Sequence, residues 1–414
     1  MRVPKVADGE AGVAEIADIG LGRRASITDA ADIHTHRTAS GSGFLPLTEV
    51  ASEAWSALAV RAIEPNGYYL PEWELAVNAS AIGRTGTSAL CAWSDASPAA
   101  PLVGLMPAIP MRQAYRIPLP ALVSGHPYGT LCTPLIDRDQ PEAAVASLLR
   151  AAREAGARAL ILRDVSLEGA AMKAITGVLT RDGLRPRLLQ SHVRACLDAT
   201  REPDALLHDA LGAKKLKELR RQRNRLADHG AITFEVARSS DDVGSATEIF
   251  LALEASGWKG ARRTALIQSA GDAAFIRRAT RALAATGQCE IVTLRAGTTP
   301  IAAGVVLRHQ DRAFYFKIGV DERFAKFSPG VQLTLELTKH LCADPAISSA
   351  DSTASPDHPM INPIWRERLA IGDALIPLRP NDPVVSLIEV TLRARLSARE
   401  LARRGLHLIR SLRS

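Results

Sequence analysis

Three consecutive strand-like segments, residues 290–295, 301–308 and 313–320, follow one another with only short turns between them, Gly297 and Asp311 standing near the turns of a hairpin-like series. The chain then leaves this run through Ser328-Pro329 into a helical pattern over 330–342. Upstream lie a strand at 233–237 and helices at 241–255 and 272–285. Downstream lie a strand at 347–351, a short helix around 360–369 and a strand at 374–378. The order β-α-α-β-β-β-α-β-α-β describes one α/β (α+β) unit over residues 231–382.

The 414 residues are enough for two domains, and 47% hydrophobic with 23% charged residues is the balance of a globular protein rather than a disordered or fibrous one. A first unit is expected over residues 46–212. It has helical patterns at 55–63 and 71–82, strands at 89–93 and 102–109, and a helix from Pro141 to about 155 with Gly156 placed to end it. A buried strand at 159–162, a helix at 167–179 and strand material at 185–197 follow. Residues 1–45 show no sustained period and are expected to be a flexible tail. Their His34 and His36 have the H-x-H spacing of metal hydrolases, but no apolar strand precedes them and no ligand cluster follows.

Lys plus Arg number 51 against 44 Asp plus Glu, and the excess sits in two places. Residues 214–225 carry Lys214, Lys215, Lys217, Arg220, Arg221, Arg223 and Arg225 against Glu218, forming a basic connector helix over 213–230. Residues 392–413 carry seven arginines against Glu400 within a C-terminal helix over 383–414, its leucines at 392, 396, 401, 406, 408 and 412. That tail fits a helix lying on an anionic membrane surface as well as one docking on its own domain; its lack of aromatics favours docking. The longest uncharged stretch, 117–136, is broken by Pro118, Pro120, Pro127 and Pro134, so no spanning helix is expected. Asp8 and Glu10 interrupt the N-terminus before any secretory-type apolar run, so a cytoplasmic location is expected, peripheral at the inner membrane face if the tail binds lipid. Five scattered cysteines form no C-x-x-C pair and are expected to be buried apolar residues.

The wording of the segments resembles the CelD-like, FemAB-related acetyltransferase family of the GNAT superfamily. The resemblance rests on Trp55-Ser-Ala-Leu, Glu64-Pro65-Asn66, Pro71-Glu72-Trp73, the basic 214–225 helix ending before Gly230, and Leu253-Glu254 with Gly257-Trp258-Lys259-Gly260. Pro300-Ile301-Ala302-Ala303-Gly304 and Phe327-Ser328-Pro329-Gly330 complete it, over about residues 50–380. It implies tandem GNAT-like domains, each a mixed, mostly antiparallel sheet flanked by helices, and an acyl-CoA co-substrate, acetyl-CoA or longer. One departure stands out: Met360-Ile361-Asn362-Pro363 occupies the place of the family's Tyr-Lys pair, although Asp351 and Trp365 are present.

A CoA pyrophosphate needs backbone N–H groups at a helix N-terminus, where the peptide dipoles favour negative charge. Ser328, Pro329, Gly330, Val331 and Gln332 are the expected donor-binding stretch, because proline sets the turn and glycine admits a close ligand. The corresponding stretch of the first unit, 137–142, has carboxylates and no glycine, so the donor is expected in the second unit alone. The strand 314–319 offers backbone N–H groups for an oxyanion. Lys317 is a candidate to attract phosphate or carboxylate, Asp351 a candidate base or amine-binding carboxylate, and His358 a group that titrates near neutrality. Trp258 and Lys259, and His126 and Tyr128 in a Pro/Gly-rich passage, are candidate acceptor contacts.

Together these expectations describe a CoA-dependent N-acyltransferase in which an amine attacks the thioester directly, with no metal, its acceptor a small-molecule, lipid-precursor or sugar amine. Two other readings stay open: a Fem-like aminoacyl-tRNA-dependent transferase using the basic helix on tRNA, and a non-catalytic accessory protein of polysaccharide biosynthesis, which the missing Tyr-Lys pair motivates. No G-x-S-x-G, Walker, H-E-x-x-H or Rossmann fingerprint occurs.

Overall fold

The computed structural model describes residues 36–37, 42–81, 83, 86–97, 99–125, 128–257, 260 and 262–411. The first half runs β1 (His36–Arg37), β2 (Ser42–Pro46), α1 (Ser52–Arg61), α2 (Pro71–Ser80), β3 (Ser88–Trp93), β4 (Leu102–Pro110), α3 (Met111–Tyr115), β5 (Ala121–Ser124), β6 (Leu135–Ile136), α4 (Pro141–Glu154), β7 (Ala159–Ser166), α5 (Ala170–Arg181) and β8 (Arg187–Asp198). The second runs α6 (Pro203–Leu226), β9 (Ile232–Ala237), α7 (Ser240–Ser256), α8 (Ala270–Ala285), β10 (Cys289–Ala296), β11 (Thr299–His309), β12 (Arg312–Val320), α9 (Pro329–Cys342), β13 (Ser349–Asp351), β14 (Glu367–Pro377) and α10 (Pro383–Ser411).

All strands join one sheet in the order β1-β2-β3-β4-β5-β7-β14-β8-β13-β12-β11-β10-β9, with β6 beside β4. Every pair is antiparallel except β5 with β7 and β12 with β13. Each parallel pair is joined through a helix, α4 or α9, because parallel neighbours need a crossover. The two halves thus repeat one plan, and they exchange strands: β14 pairs with β7, while β8 pairs with β13. The long β8–β14 pairing, Glu367 opposite Cys196 through Leu375 opposite Arg187, closes the seam.

The core also crosses that seam. Trp73 on α2 meets Phe275 on α8 and Phe316 on β12 edge-on, with ring centres 5.0 and 4.9 Å apart, and Tyr68 meets Phe314 at 5.7 Å. Aromatic rings bury large areas and favour these edge-to-face contacts, so this cluster ties first-half helices to second-half strands. On the opposite face, α6 and α9 cover Val292, Leu294, Val306 and Tyr315. The start of α10 seats Val385, Ile388 and Leu392 against Val123, Ile161 and Leu375.

Four expectations are corrected. Within residues 1–45, the chain from Ser42 is strand β2, paired with β3, so the ordered fold starts inside the expected tail; residues 1–35, with His34, lie outside the described residues. The short helix around 360–369 is a turn followed by strand: Pro359 and Pro363 have no N–H to propagate a helix, and the single turn closes with Ile364 and Trp365 N–H donating to the Ile361 carbonyl. Strand 374–378 is the end of the much longer β14. The connector helix begins earlier than expected, at Pro203, and bends at Gly212, whose φ of 70° and ψ of 161° suit glycine alone. Among the described residues, no helix is long and apolar enough to cross a membrane.

Candidate functional site

β12 and β13 pair only over Arg312, Ala313 and Phe314 opposite Ser349, Ala350 and Asp351. β13 then ends, while β12 continues to Val320. Beyond the parting, the Thr353 hydroxyl donates to the Tyr315 carbonyl at 2.6 Å, satisfying an acceptor that a longer β13 would have taken. β12 also carries a bulge against β11: Val305 faces Lys317 and Val306 faces Tyr315, leaving Phe316 as the extra residue. The bulge turns Lys317 to the side of Phe316 and α7, and Ile318 to the side of α9.

α9 begins just beyond this divergence. Ser328 adopts a left-handed backbone (φ 54°) and makes no side-chain cap, and the first intrahelical bond runs from Gln332 N–H to Ser328 O. The N–H groups of Gly330 and Val331 precede it as the unpaired donors of a helix start. Gly330 is buried: a Cβ there would stand 2.9 Å from Met360 Sδ and 3.4 Å from Val320 Cγ1. Gln332 is buried too, and its amide donates to the Leu219 carbonyl of α6 at 2.9 Å. That bond brings the basic half of α6 alongside the opening turn of α9. Lys214, Lys215, Lys217, Arg220, Arg221 and Arg225 are exposed there, whereas Arg223 is half-buried and paired with Glu336 at 2.9 Å.

The side chains expected to carry chemistry sit differently from one another. Lys317 is mostly buried and pairs at 3.4 Å with Glu254, whose other oxygen accepts from Leu266 N–H, so its charge is held by an internal carboxylate. Asp351 is completely buried, accepts from Arg194 and from Thr353 N–H, and locks β13 to β8 rather than facing a cleft. Arg194 also donates to the Thr130 carbonyl at 2.7 Å. Tyr68 lies in the same pocket of polar groups, and burial pushes its phenol well up while the Thr130 hydroxyl opposes the shift. His358 is half-buried in the loop after β13, where its Nδ1 accepts from Met360 N–H at 3.3 Å. Tyr128 is buried and stacked on Phe275 at 4.8 Å, which makes it part of the core. Trp258, Lys259 and His126 lie outside the described residues.

In the first half, the start of α4 lies next to Asp137, which is buried and paired with Arg61 at 3.0 Å; it has no counterpart of Gly330. A depression of about 230 Å³ lined by Asp198, Arg201, Asp209, Trp365 and Arg366 lies toward the other end of α9, since Asp198 and Arg201 act on the thiol of Cys342 at that helix's C-terminus. Its charges are largely spent on each other, Arg201 pairing with Asp209 at 2.6 Å. Among the described residues, no group of three His, Cys, Asp or Glu side chains is placed to hold a metal ion.

Arg194 and Tyr68 escaped the sequence analysis, and Glu254 and Met360 entered it only as parts of motifs, without a role of their own. Glu254 did leave a trace: it is a charge directly after the apolar run 249–253 of α7, which demands a buried partner, whereas Arg194 lies in a strand that also carries Gln190, His192 and Asp198.

Comparison with known proteins agrees with this architecture. The acetyltransferase (GNAT) domain family matches residues 213–357. No curated protein sequence matches the chain. Among solved structures, FemX superposes with a TM-score of 0.53 at 12% identity, over 82% of this chain and 99% of FemX. The C-terminal domain of an Agrobacterium fabrum protein assigned as a lysylphosphatidylglycerol synthetase superposes with a TM-score of 0.50 at 15% identity, over 82% and 96%. The chain therefore has the GNAT fold, in a mixed sheet flanked by helices. The match of residues 213–357 to the acetyltransferase (GNAT) domain family supports a transferase.

Proposed function

We propose that this chain transfers an acyl group from acyl-CoA, acetyl-CoA or a longer homologue, to the amine of a small molecule, lipid precursor or sugar. The supporting observation is the parting of β12 from β13 immediately before a helix start with unpaired N–H groups and a glycine at its second position. The pyrophosphate would rest on the Gly330 and Val331 amides, and the thioester would extend along the freed edge of β12. The amine nitrogen forms a bond to the thioester carbonyl carbon. The charge developing on oxygen is met by backbone N–H groups of β12, the C–S bond breaks, and the amine proton passes to the departing thiolate. His358, two residues from the methionine that covers Gly330, is the proposed proton carrier, and Asp351 acts at a distance by fixing Arg194 and the seam. Within the acyltransferase class we place the chain nearest the CelD-like proteins, working on the cytoplasmic side where acyl-CoA is made. A methionine in the place of the Tyr-Lys pair then makes the donor site tighter and less polar.

Titration calorimetry with acetyl-CoA and palmitoyl-CoA tests this. Gly330→Asp puts a carboxylate at the helix start and should abolish binding; unchanged affinity removes the donor-site assignment.

A second donor, aminoacyl-tRNA, is favoured by one observation, the six exposed cations of α6 beside the start of α9. Reversing Arg220 and Arg221 to Glu should weaken tRNA binding by about tenfold or more and flatten its salt dependence if tRNA is the donor, and leave CoA binding intact if it is not.

A further inference from the structure

α10 has two apolar faces, and the body of the protein uses one. Val385, Ile388 and Leu392 are buried against β5, β7 and β14. Leu387, Val390 and Leu401 are 54, 64 and 69% exposed. At 3.6 residues per turn, Leu387, Val390, Ala394, Ala398 and Leu401 fall within one arc of about 80°, on the side opposite the docked residues. The exposed leucines and valine are therefore a continuous stripe, not scattered surface residues.

The helix also outruns its support. Among the side chains of the helix whose exposure is described, Leu392 is the last buried one, Arg395 and Leu396 are half-buried, and those from Ser397 through Arg404 are exposed, while the helix continues to Ser411. Residues 397–404 therefore run roughly 12 Å beyond the docked turns. A helix is weakly stable in water without a face to bury. Arginines flank the stripe: Arg393 and Arg404 are exposed, each paired with a glutamate four residues earlier, and Arg395 lies over the Tyr115 ring at 5.2 Å. Residues 392–413 keep a strong positive balance, seven arginines against Glu400. Burying the stripe against a second copy would bring two such sets of arginines together, which opposes association.

We propose that α10 seats this protein on the surface of a bilayer that carries anionic lipid, with Leu387, Val390 and Leu401 entering the acyl boundary and the flanking arginines meeting the headgroups. A plane at that depth accommodates an apolar stripe between cations, and the negative surface satisfies the charge that a protein groove would have to match residue by residue. With no aromatic side chain in the helix to anchor it, the attachment depends on electrostatics and weakens with salt. This docking is independent of the acyl donor.

Vesicle flotation with the full chain tests the proposal, using phosphatidylcholine alone and phosphatidylcholine with about one-third phosphatidylserine. The expected result is flotation with the anionic vesicles, at least about tenfold weaker on phosphatidylcholine or in high salt. The triple variant Leu387→Asp, Val390→Asp, Leu401→Asp should lose about tenfold or more of this binding with an unchanged melting temperature, because none of the three packs on the body. Arg220→Glu with Arg221→Glu should leave vesicle binding as it is. Equal flotation with both vesicle types, no flotation, or binding lost only in the α6 variant overturns the proposal. So does a wild-type dimer in sedimentation that the triple variant converts to monomer, since the stripe would then be covered by a second copy.

Discussion

Arg194 and Asp351 show what a single residue can do when its partner is far away in sequence. Their side chains are 3% and 0% exposed, and together they fasten β8 to β13 where the two halves meet. A buried pair gains little over a well-packed apolar one, but removing one member strands the other without water or partner. Asp351→Asn and Arg194→Leu should each destabilise by about 3–5 kcal/mol, and the double change Arg194→Met, Asp351→Leu should restore part of that, as read from the denaturant midpoint. Equal destabilisation by the double and single variants would show that shape rather than charge dominates at this point. The candidate site was legible at this scale only where local chemistry suffices. Ser328-Pro329-Gly330 announces a helix start because proline and glycine act on their own backbone. The role of Asp351 was not legible, since its meaning comes from an arginine 157 residues away. Lys317 likewise looked like a ligand-facing cation until the bulge at Phe316 turned it toward Glu254.

Among elements, the strongly periodic ones were legible: α4, α7, α8 and α9, and β10 through β12, lie within a few residues of their sequence patterns. β2 and β5 were not, being four or five residues long and bordered by glycine or proline. β14 was hidden because its first half, Glu367-Arg368-Leu369-Ala370, is polar enough to pass for helix and takes its identity from lying between β7 and β8. The bend of α6 is a further element-level feature, since it separates the turns at 203–211 from the basic turns at 213–226. Gly212→Ala forces a side chain into a backbone region nearly closed to it and should destabilise by about 1–3 kcal/mol. Gly177→Ala, in an exposed turn of α5 with open space around it, should instead stabilise by roughly 0.5–1 kcal/mol. Thermal melts of the two variants must move in opposite directions; a shared direction would mean that the bend carries no strain for a side chain.

Across the whole molecule, strand exchange and a shared aromatic core make the two halves one cooperative body, and His309 is the titratable group set into that seam. It sits on β11 of the second half, 3% exposed, its Nδ1 accepting from Asn66 N–H at 2.8 Å and its Nε2 donating to the Ala59 carbonyl at 2.9 Å. Both partners belong to the first half, and an Nδ1 that accepts cannot also carry a proton. Burial pushes this imidazole down to about 4, the Ala59 carbonyl and Asp311 opposing. The unfolded chain takes up its proton first, near pH 6.5, so the stabilisation is complete above that value and is lost as pH falls toward about 4. At about 1.4 kcal/mol per unit, roughly 2 kcal/mol should disappear between about pH 7 and pH 5. His192, also lowered by burial, contributes with the same sign but is half-exposed, so its share is smaller. Glu290, held below its ordinary value despite its burial by a hydrogen bond from His340, loses its contribution only at lower pH. Substituting His309→Leu should lower stability near pH 7, because Asn66 N–H and a carbonyl contact are left behind, yet flatten the decline between pH 7 and 5. Denaturant melts of both proteins at the two pH values decide it: parallel declines would assign the acid sensitivity of the seam to groups other than His309.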